Sequence, residues 1–421
     1  MIQKFFDTEL CARCRGRGFC NKPCRIYSKI KDFTPKTRTH FSGSSPPEIF
    51  VGRFNYPNIN AGILSPDNSE LDSETNSEFS AYNSAELAFP EIWHEKKYSI
   101  DTILTNRSKL IYGKFKTQIK KARATDKFLS LMQEISMAYK SVSTEFFLKK
   151  APSMKLEINK HLPLIGNPAP LQYARLQENP KIKPKVDYLV SDSDTKSVTA
   201  IKELYKSNIE ITNINKILSA GLLGLKTQRR LVPTRWSITA VDDTIGKELL
   251  KKIRYYPEIQ DILLFNSEYN GNRYEILLLP DKFSFEVIEA ELNNSLWNQT
   301  GHISIMKDFE FFHGRKTYAD EVTGGYYAVR LPLCEYLEKI KRQATALFFR
   351  QVTEEYYAPL GVGILREITR QAFKNQPEKF NSINEALKQA QTRLRIPIST
   401  YIDNSVLLKE FGKQKRLNNW F

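Results

Sequence analysis

Four of the chain's five cysteines fall within fourteen residues, at Cys11, Cys14, Cys20 and Cys24, in the spacing C-x2-C-x5-C-x3-C. Thiolates crowded this closely repel one another unless they are protonated, oxidised or bound to a cation. A tetrahedral zinc ion takes four thiolate sulfurs and organises a loop too short to have a core of its own. Gly16 and Gly18 let the connecting backbone turn tightly, and Arg13, Arg15, Arg17, Lys22 and Arg25 would present cations outward. An iron–sulfur cluster is the competing reading of the same ligands. Disulfides are disfavoured, because the opening Met-Ile-Gln-Lys-Phe-Phe-Asp does not have the form of a secretory signal. The expectation is a structural four-cysteine zinc knuckle over residues 1–30, with no open coordination position for catalysis. Cys334 stands alone in an apolar stretch and reads as a core residue.

Beyond the knuckle, charge narrows the field. Lys and Arg number 63 against 47 Asp and Glu, a net charge of +16. A soluble chain this basic generally meets a polyanion, most often nucleic acid. From Phe54 to Glu95 there is no Lys or Arg, and that stretch holds eight acids. Its middle, about residues 65–84, reads as a mobile, solvated acidic loop; a sharper alternative is that it competes with DNA for the basic surface. The longest apolar run, Ile217 to Leu225, falls well short of the roughly 18 residues that span a bilayer, so no membrane partner is expected.

The pattern along the chain points to an α+β (mixed α/β) fold. Lys127 to Tyr139 carries Phe128, Leu131, Met132, Ile135 and Tyr139 at helical spacing. Asp261 to Phe265 and Tyr274 to Leu279 read as strands joined by a loop with an Asn-Gly turn signal. Trp236 to Val241 and Tyr326 to Leu331 also read as strands, Asp242 or Asp243 as the cap of a following helix, and Pro332 to about Gln351 as one long helix. Asn106 to Ala122 reads as partly helical and Ala151 to Pro184 as largely irregular. At 421 residues, two or three domains are expected. The division is the knuckle at 1–30, a mixed sheet core with hairpins and helices at 31–285, a C-terminal α/β to helical region at 286–411, and a tail at 412–421.

That tail reads Gln414-Lys-Arg-Leu417-Asn-Asn-Trp420-Phe421. In one tight helical turn Leu417, Trp420 and Phe421 project together as an apolar plug, and Gln414 supplies an amide beside it. This matches the flexible peptide that binds the replication sliding clamp, a groove-docking mode.

Signatures of common enzymes are absent: there is no H-E-x-x-H, G-x-S-x-G or G-x-G-x-x-G, and Gly221 to Thr227 departs from a phosphate loop at Leu225. The most suggestive stretch is Thr227 to Trp236. Arg229, Arg230 and Arg235 offer forks for phosphate, and Trp236 offers a face for a base. Asp242 and Asp243 follow, either as a helix cap or as a carboxylate pair for a divalent metal, magnesium or manganese, in phosphodiester cleavage. Glu48, Asp308, Glu310, Asp320 and Glu321 are further acids able to join such a site.

In combination, several segments resemble the archaeal Nre family of DNA repair proteins. They are the cysteine knuckle, Ile49-Phe-Val-Gly-Arg-Phe-Asn-Tyr-Pro57, Arg230-Leu-Val-Pro-Thr-Arg-Trp-Ser-Ile-Thr-Ala-Val-Asp-Asp243, Gly324-Gly-Tyr-Tyr-Ala-Val-Arg330 and the Gln414 to Phe421 tail. The resemblance implies a cytoplasmic archaeal protein with a zinc-finger-like N-terminus, a role in DNA damage repair and association with the sliding clamp. It brings no catalytic residues with it. The leading expectation is therefore a clamp-recruited DNA-binding repair factor. The alternatives are a clamp-tethered, metal-dependent nuclease and a non-catalytic adaptor for protein or RNA.

Overall fold

The structure is a computed structural model that describes residues 26, 28, 38–67, 84–124, 126–153, 161–296, 298 and 302–411. The cysteine cluster, most of the acidic loop and the tail beyond Phe411 lie outside the described residues. The chain forms two compact units. The first runs to Ile245 and is completed by Ala358–Gly363; the second comprises Gly246–Tyr357 and resumes at Ile364. Among the described residues the fold is α+β, with two mixed sheets and twelve α-helices.

The elements of the first unit are β1 (His40–Ser45), β2 (Ile49–Val51), β3 (Asn58–Pro66), α1 (Pro90–Glu95), α2 (Ile100–Ser108), β4 (Leu110–Gln118), α3 (Lys127–Met137), β5 (Val142–Leu148), β6 (Asn167–Leu176), α4 (Pro184–Ser191), α5 (Ser197–Lys206), α6 (Ile211–Ser219) and the first part of α7 (Thr234–Ile253). The sheet order is β1-β5-β6-β4-β3-β2, antiparallel except for the β6–β4 pair. The start of α3 follows ordinary capping chemistry: Asp126 accepts from the N–H groups of Phe128 and Leu129, both at 3.2 Å. Of the expected face of α3, Leu131, Met132 and Ile135 are buried, with Leu129 beside them, whereas Phe128 is half-buried and Tyr139 lies past the helix end, 41% exposed.

One buried ionic cluster ties this unit together. Glu48, just before β2, lies 2.7 Å from the Lys216 ammonium of α6 and 3.5 Å from the Arg107 guanidinium of α2. Arg107 also donates to the carbonyls of Leu164 (2.6 Å) and Leu87 (3.1 Å). Lys216 sits 4.0 Å above the Phe89 ring. Both cations are buried. Burial pulls each below its ordinary pKa, and the Glu48 carboxylate opposes that pull.

The second unit contains the rest of α7, then β7 (Ile262–Tyr269), β8 (Asn272–Leu279), β9 (Ser284–Glu291), β10 (Ser304–Glu310), α8 (Gly324–Ile340), β11 (Thr345–Val352), α9 (Val362–Ala372, from Ile364), β12 (Glu378–Phe380), α10 (Ile383–Arg393), α11 (Ile398–Asn404) and α12 (Val406–Glu410). Its sheet order is β10-β9-β11-β8-β7-β12, with β9 and β11 parallel. The β7–β8 hairpin turns at Asn270 and Gly271, both at positive φ (49° and 74°), as a primed two-residue turn requires. Residues of α10, α11 and α12 close one face of this sheet over Leu277, Leu279, Leu347 and Phe349. The Glu286 carboxylate accepts from the Val406 N–H at 2.8 Å and from the Ser405 hydroxyl, and so holds the start of α12.

Three expectations about local structure are corrected. Trp236 to Val241 is helical, within α7. Its buried positions, Ser237, Val241 and Ile245, recur every four residues, and burial of that stripe outweighs the strand preference of its β-branched residues. Tyr326 to Leu331 lies in α8, where every residue from Gly324 to Cys334 is buried and so shows no alternation to read. The expected helix over Pro332 to Gln351 ends at Ile340, with Lys341 left-handed at φ 55°, and Thr345–Val352 is a strand buried along its whole length. Asn106 to Ala122 is partly helical, as expected, with the end of α2 and a helical turn at Ile119–Arg123 flanking strand β4, and β6 adds a strand to the Ala151 to Pro184 stretch.

Candidate nucleic-acid interface

Strands β3 and β4 pair antiparallel, with Asn58 opposite Gln118 and Asn60 opposite Lys116. Ile59, Ala61 and Phe115 point into the core, so the two asparagines share the outer face with Lys116 and Gln118. Together with Asn55 and Lys121 they line an open groove of about 510 Å³. Among the described residues no acidic side chain lines it. Asp126 sits 3.9 Å from Lys121, a surface pair of little energy.

The loop before β3 forms the rim. Asn55 is left-handed (φ 62°), a conformation asparagine tolerates, and its carbonyl accepts from the Asn58 N–H at 2.8 Å. The turn leaves Phe54 65% and Tyr56 45% exposed. The Tyr56 ring lies 5.4 Å from that of Trp236, itself 45% exposed. Trp236 is held there by the start of α7, where the Thr234 hydroxyl accepts from the Val51 N–H at 2.9 Å.

Two backbone bonds join the flanking segments into one surface: Ile119 N–H donates to the Pro57 carbonyl (3.1 Å), and Leu231 N–H to the Ile119 carbonyl (3.0 Å). Gly221 makes the approach possible. At φ 73° a Cβ there would stand 2.7 Å from Ala122 and 2.8 Å from the Arg230 backbone. Lys120, Arg123 and Arg230 are exposed on this surface, and Arg235 is half-buried in the first turn of α7.

The four residues named from the sequence therefore divide. Arg230, Arg235 and Trp236 lie at the surface. Arg229 donates to the carbonyls of Gly224 (2.8 Å), Val190 (2.8 Å) and Asp192 (2.5 Å), so its guanidinium is committed to holding the loop. Sequence reading missed Phe54, Tyr56, Lys116 and Gln118. A signal was present for the last two: Lys114-Phe-Lys-Thr-Gln118 alternates with period two.

Asp242 and Asp243 stand well inside α7, not at its start. Asp242 is buried and Asp243 half-buried, and successive helical residues do not face one another. Among the described residues no group of three or more His, Cys, Asp or Glu side chains is placed to hold a metal ion. Three of the other acids are bound to cations within their own units, Glu48 as above, Asp308 2.9 Å from Arg315, and Glu310 3.0 Å from Arg330, while exposed Asp320 lies 3.7 Å from Arg315 and Glu321 accepts from the Lys307 N–H at 2.9 Å. Asp308 also accepts from the Val322 N–H at 2.8 Å. No helix of the described residues is long and apolar enough to cross a membrane. The clustered cysteines and the tail residues Gln414, Leu417, Trp420 and Phe421 lie outside the described residues.

Family models place two matches on the chain: archaeal Nre, N-terminal, over residues 19–298, and archaeal Nre, C-terminal, over residues 310–420. A DNA repair protein NreB of Archaeoglobus fulgidus is 32% identical over 408 residues, 97% of this chain and 98% of that one. DNA repair protein NreA of the same organism is 34% identical over 91% of this chain and 93% of its own length. NreA of Haloferax volcanii is 33% identical over 94% and 95%. No solved structure matches the chain.

Proposed function

The chain belongs to the archaeal Nre family, and on that premise we propose that it is a DNA repair protein that binds DNA through the groove and rim of its first unit. A sliding clamp gripping Gln414, Leu417, Trp420 and Phe421 then brings it to replication or repair sites. One observation carries the reading of the surface: Tyr56 and Trp236 expose their rings to solvent beside a groove that, among the described residues, lysines and amides line without an acid. Lysines neutralise phosphates, while amides and rings meet bases. The named carboxylates of the nuclease alternative do not gather around this groove, which favours binding over cleavage.

The test is the salt dependence of DNA binding by the full chain. Each phosphate contact removed flattens the slope of log K against log salt by about one unit. A Lys116→Ala/Lys121→Ala/Arg230→Ala variant should therefore bind more weakly and with a flatter slope. Arg229→Ala should lower the unfolding midpoint instead, because three carbonyls lose their donor. A folded triple variant with an unchanged slope would remove this surface from the proposal.

The donor set Cys11, Cys14, Cys20 and Cys24 suits zinc: four soft thiolates complete a four-coordinate site and leave no place for a substrate. Bound there, zinc would supply folding energy to the knuckle and no reaction chemistry. Elemental analysis of the purified chain should find one zinc, lost in Cys14→Ser, with the unfolding of the remaining chain little changed. Iron in place of zinc would reject the assignment.

A further inference from the structure

Phosphate binding needs cations, and it gives no reason for three aromatic rings to face water at one place. Phe54 is 65% exposed and Tyr56 and Trp236 45% each, so each forgoes part of the burial energy its ring could gain. They are held there by specific structure. Asn55 turns the loop, Tyr56 packs on Trp236 with the rings tilted at 54°, and Thr234 fixes the start of α7 against β2. The guanidinium of Arg53 lies 5.2 Å above the Phe54 ring, which places a cation at a stacking surface.

The polar face beside the rim is complementary in kind. Asn55, Asn58, Asn60 and Gln118 each offer a donor and an acceptor, the pairing capacity of a base edge. Lys116 and Lys121 supply point charges for phosphate. The groove volume is in the range of a ligand of nucleotide size. In duplex DNA the faces of the bases are stacked and unavailable; in a single strand they are free to lie on rings.

We infer that Phe54, Tyr56 and Trp236 form a stacking platform for unpaired bases of single-stranded DNA, with the Asn58, Asn60, Lys116 and Gln118 face carrying the adjoining sugar–phosphate strand. This rests on the DNA-binding reading above and adds the form of DNA bound. A protein of this build meets its substrate where repair or replication has opened the duplex.

The experiment compares oligo(dT), a duplex of the same length and the corresponding single-stranded RNA, each titrated into the full-length chain at two salt concentrations. Oligo(dT) should bind more tightly than the duplex. In Tyr56→Ala/Trp236→Ala its affinity should fall by about 10- to 100-fold, with the salt slope unchanged and a smaller loss for the duplex. A second measurement does not depend on that variant folding. Oligo(dT) should quench tryptophan emission, and Trp236→Phe, which keeps a ring, should abolish most of the quench while retaining affinity. Equal binding of single strand and duplex, unaffected by the aromatic variants, overturns the platform and leaves the electrostatic DNA-binding reading standing. No binding to either form overturns both. Tighter binding of the RNA, or a quench undiminished in Trp236→Phe, also overturns the assignment.

Discussion

Glu48→Gln should destabilise the first unit by about 3–5 kcal/mol, the range found when one member of a buried ion pair is removed. The substitution keeps the shape of the side chain and deletes the charge. Arg107 and Lys216 would then stay buried as two cations without a carboxylate between them. Arg107 retains two carbonyl acceptors, but Lys216 loses its nearest anion. Adding Lys216→Met should therefore recover much of the loss, because an apolar residue of similar length needs no counter-charge. The pH dependence has a definite sign. Burial depresses the pKa of Lys216 in the folded state, so between that value and about 10.4 the unfolded chain holds the proton more tightly. Stability then rises with pH across that window, and the deficit of Glu48→Gln should shrink on going from neutral to alkaline buffer. Chemical unfolding followed by circular dichroism at several pH values measures this directly. A midpoint unchanged from the parent would show that the cluster does not hold the unit together.

Truncation after Lys413 should abolish retention on the cognate sliding clamp while leaving DNA binding intact. The three apolar anchors of the tail supply most of its contact area, and at about 25 cal/mol per Å² their burial offsets the ordering of a short peptide. A synthetic peptide of the last residues should bind in the micromolar range, on the order of −7 to −9 kcal/mol. The last described helix, α12, is pinned at its start by Glu286, and Phe411 packs against the core of the second unit. Gln414 follows Phe411 by only three residues, so the clamp would engage the chain close to a firmly seated helix. Two weak contacts, clamp and DNA, then act together through effective concentration. Equal capture of the full and shortened chains in a pull-down would sink the proposal.

What was legible in the sequence was local. The hairpin at Asn270-Gly271 was readable because a two-residue turn demands positive φ and those residue types provide it. Helix α3 was readable because one face is wet and the other dry. Two of the failures share a cause: α8 from Gly324 to Cys334 and β11 throughout are buried, and a run buried on every face carries no period. The interface was half visible. Arg230, Arg235 and Trp236 form a dense basic and aromatic stretch, but their junction with Tyr56 and the β3–β4 face joins segments more than a hundred residues apart. Pattern within a window cannot reach that far. Nor does composition distinguish Arg229, spent on three carbonyls, from Arg230 beside it, which is exposed.

The six residues Ala358–Gly363 belong to the first unit although more than a hundred residues of the second precede them. The Val362 N–H donates to the His161 carbonyl at 3.1 Å, and Leu360 bridges to Pro163. On the ribosome, where chains emerge N-terminus first, the first unit thus waits for its last piece until most of the second has been synthesised. A nascent chain stalled before that point carries an unfinished first unit, and a gene fragment ending at Ile245 encodes one permanently. Two more covalent crossings, at 357/358 and 363/364, follow the one at 245/246, so cutting a single connection does not release either unit from the other.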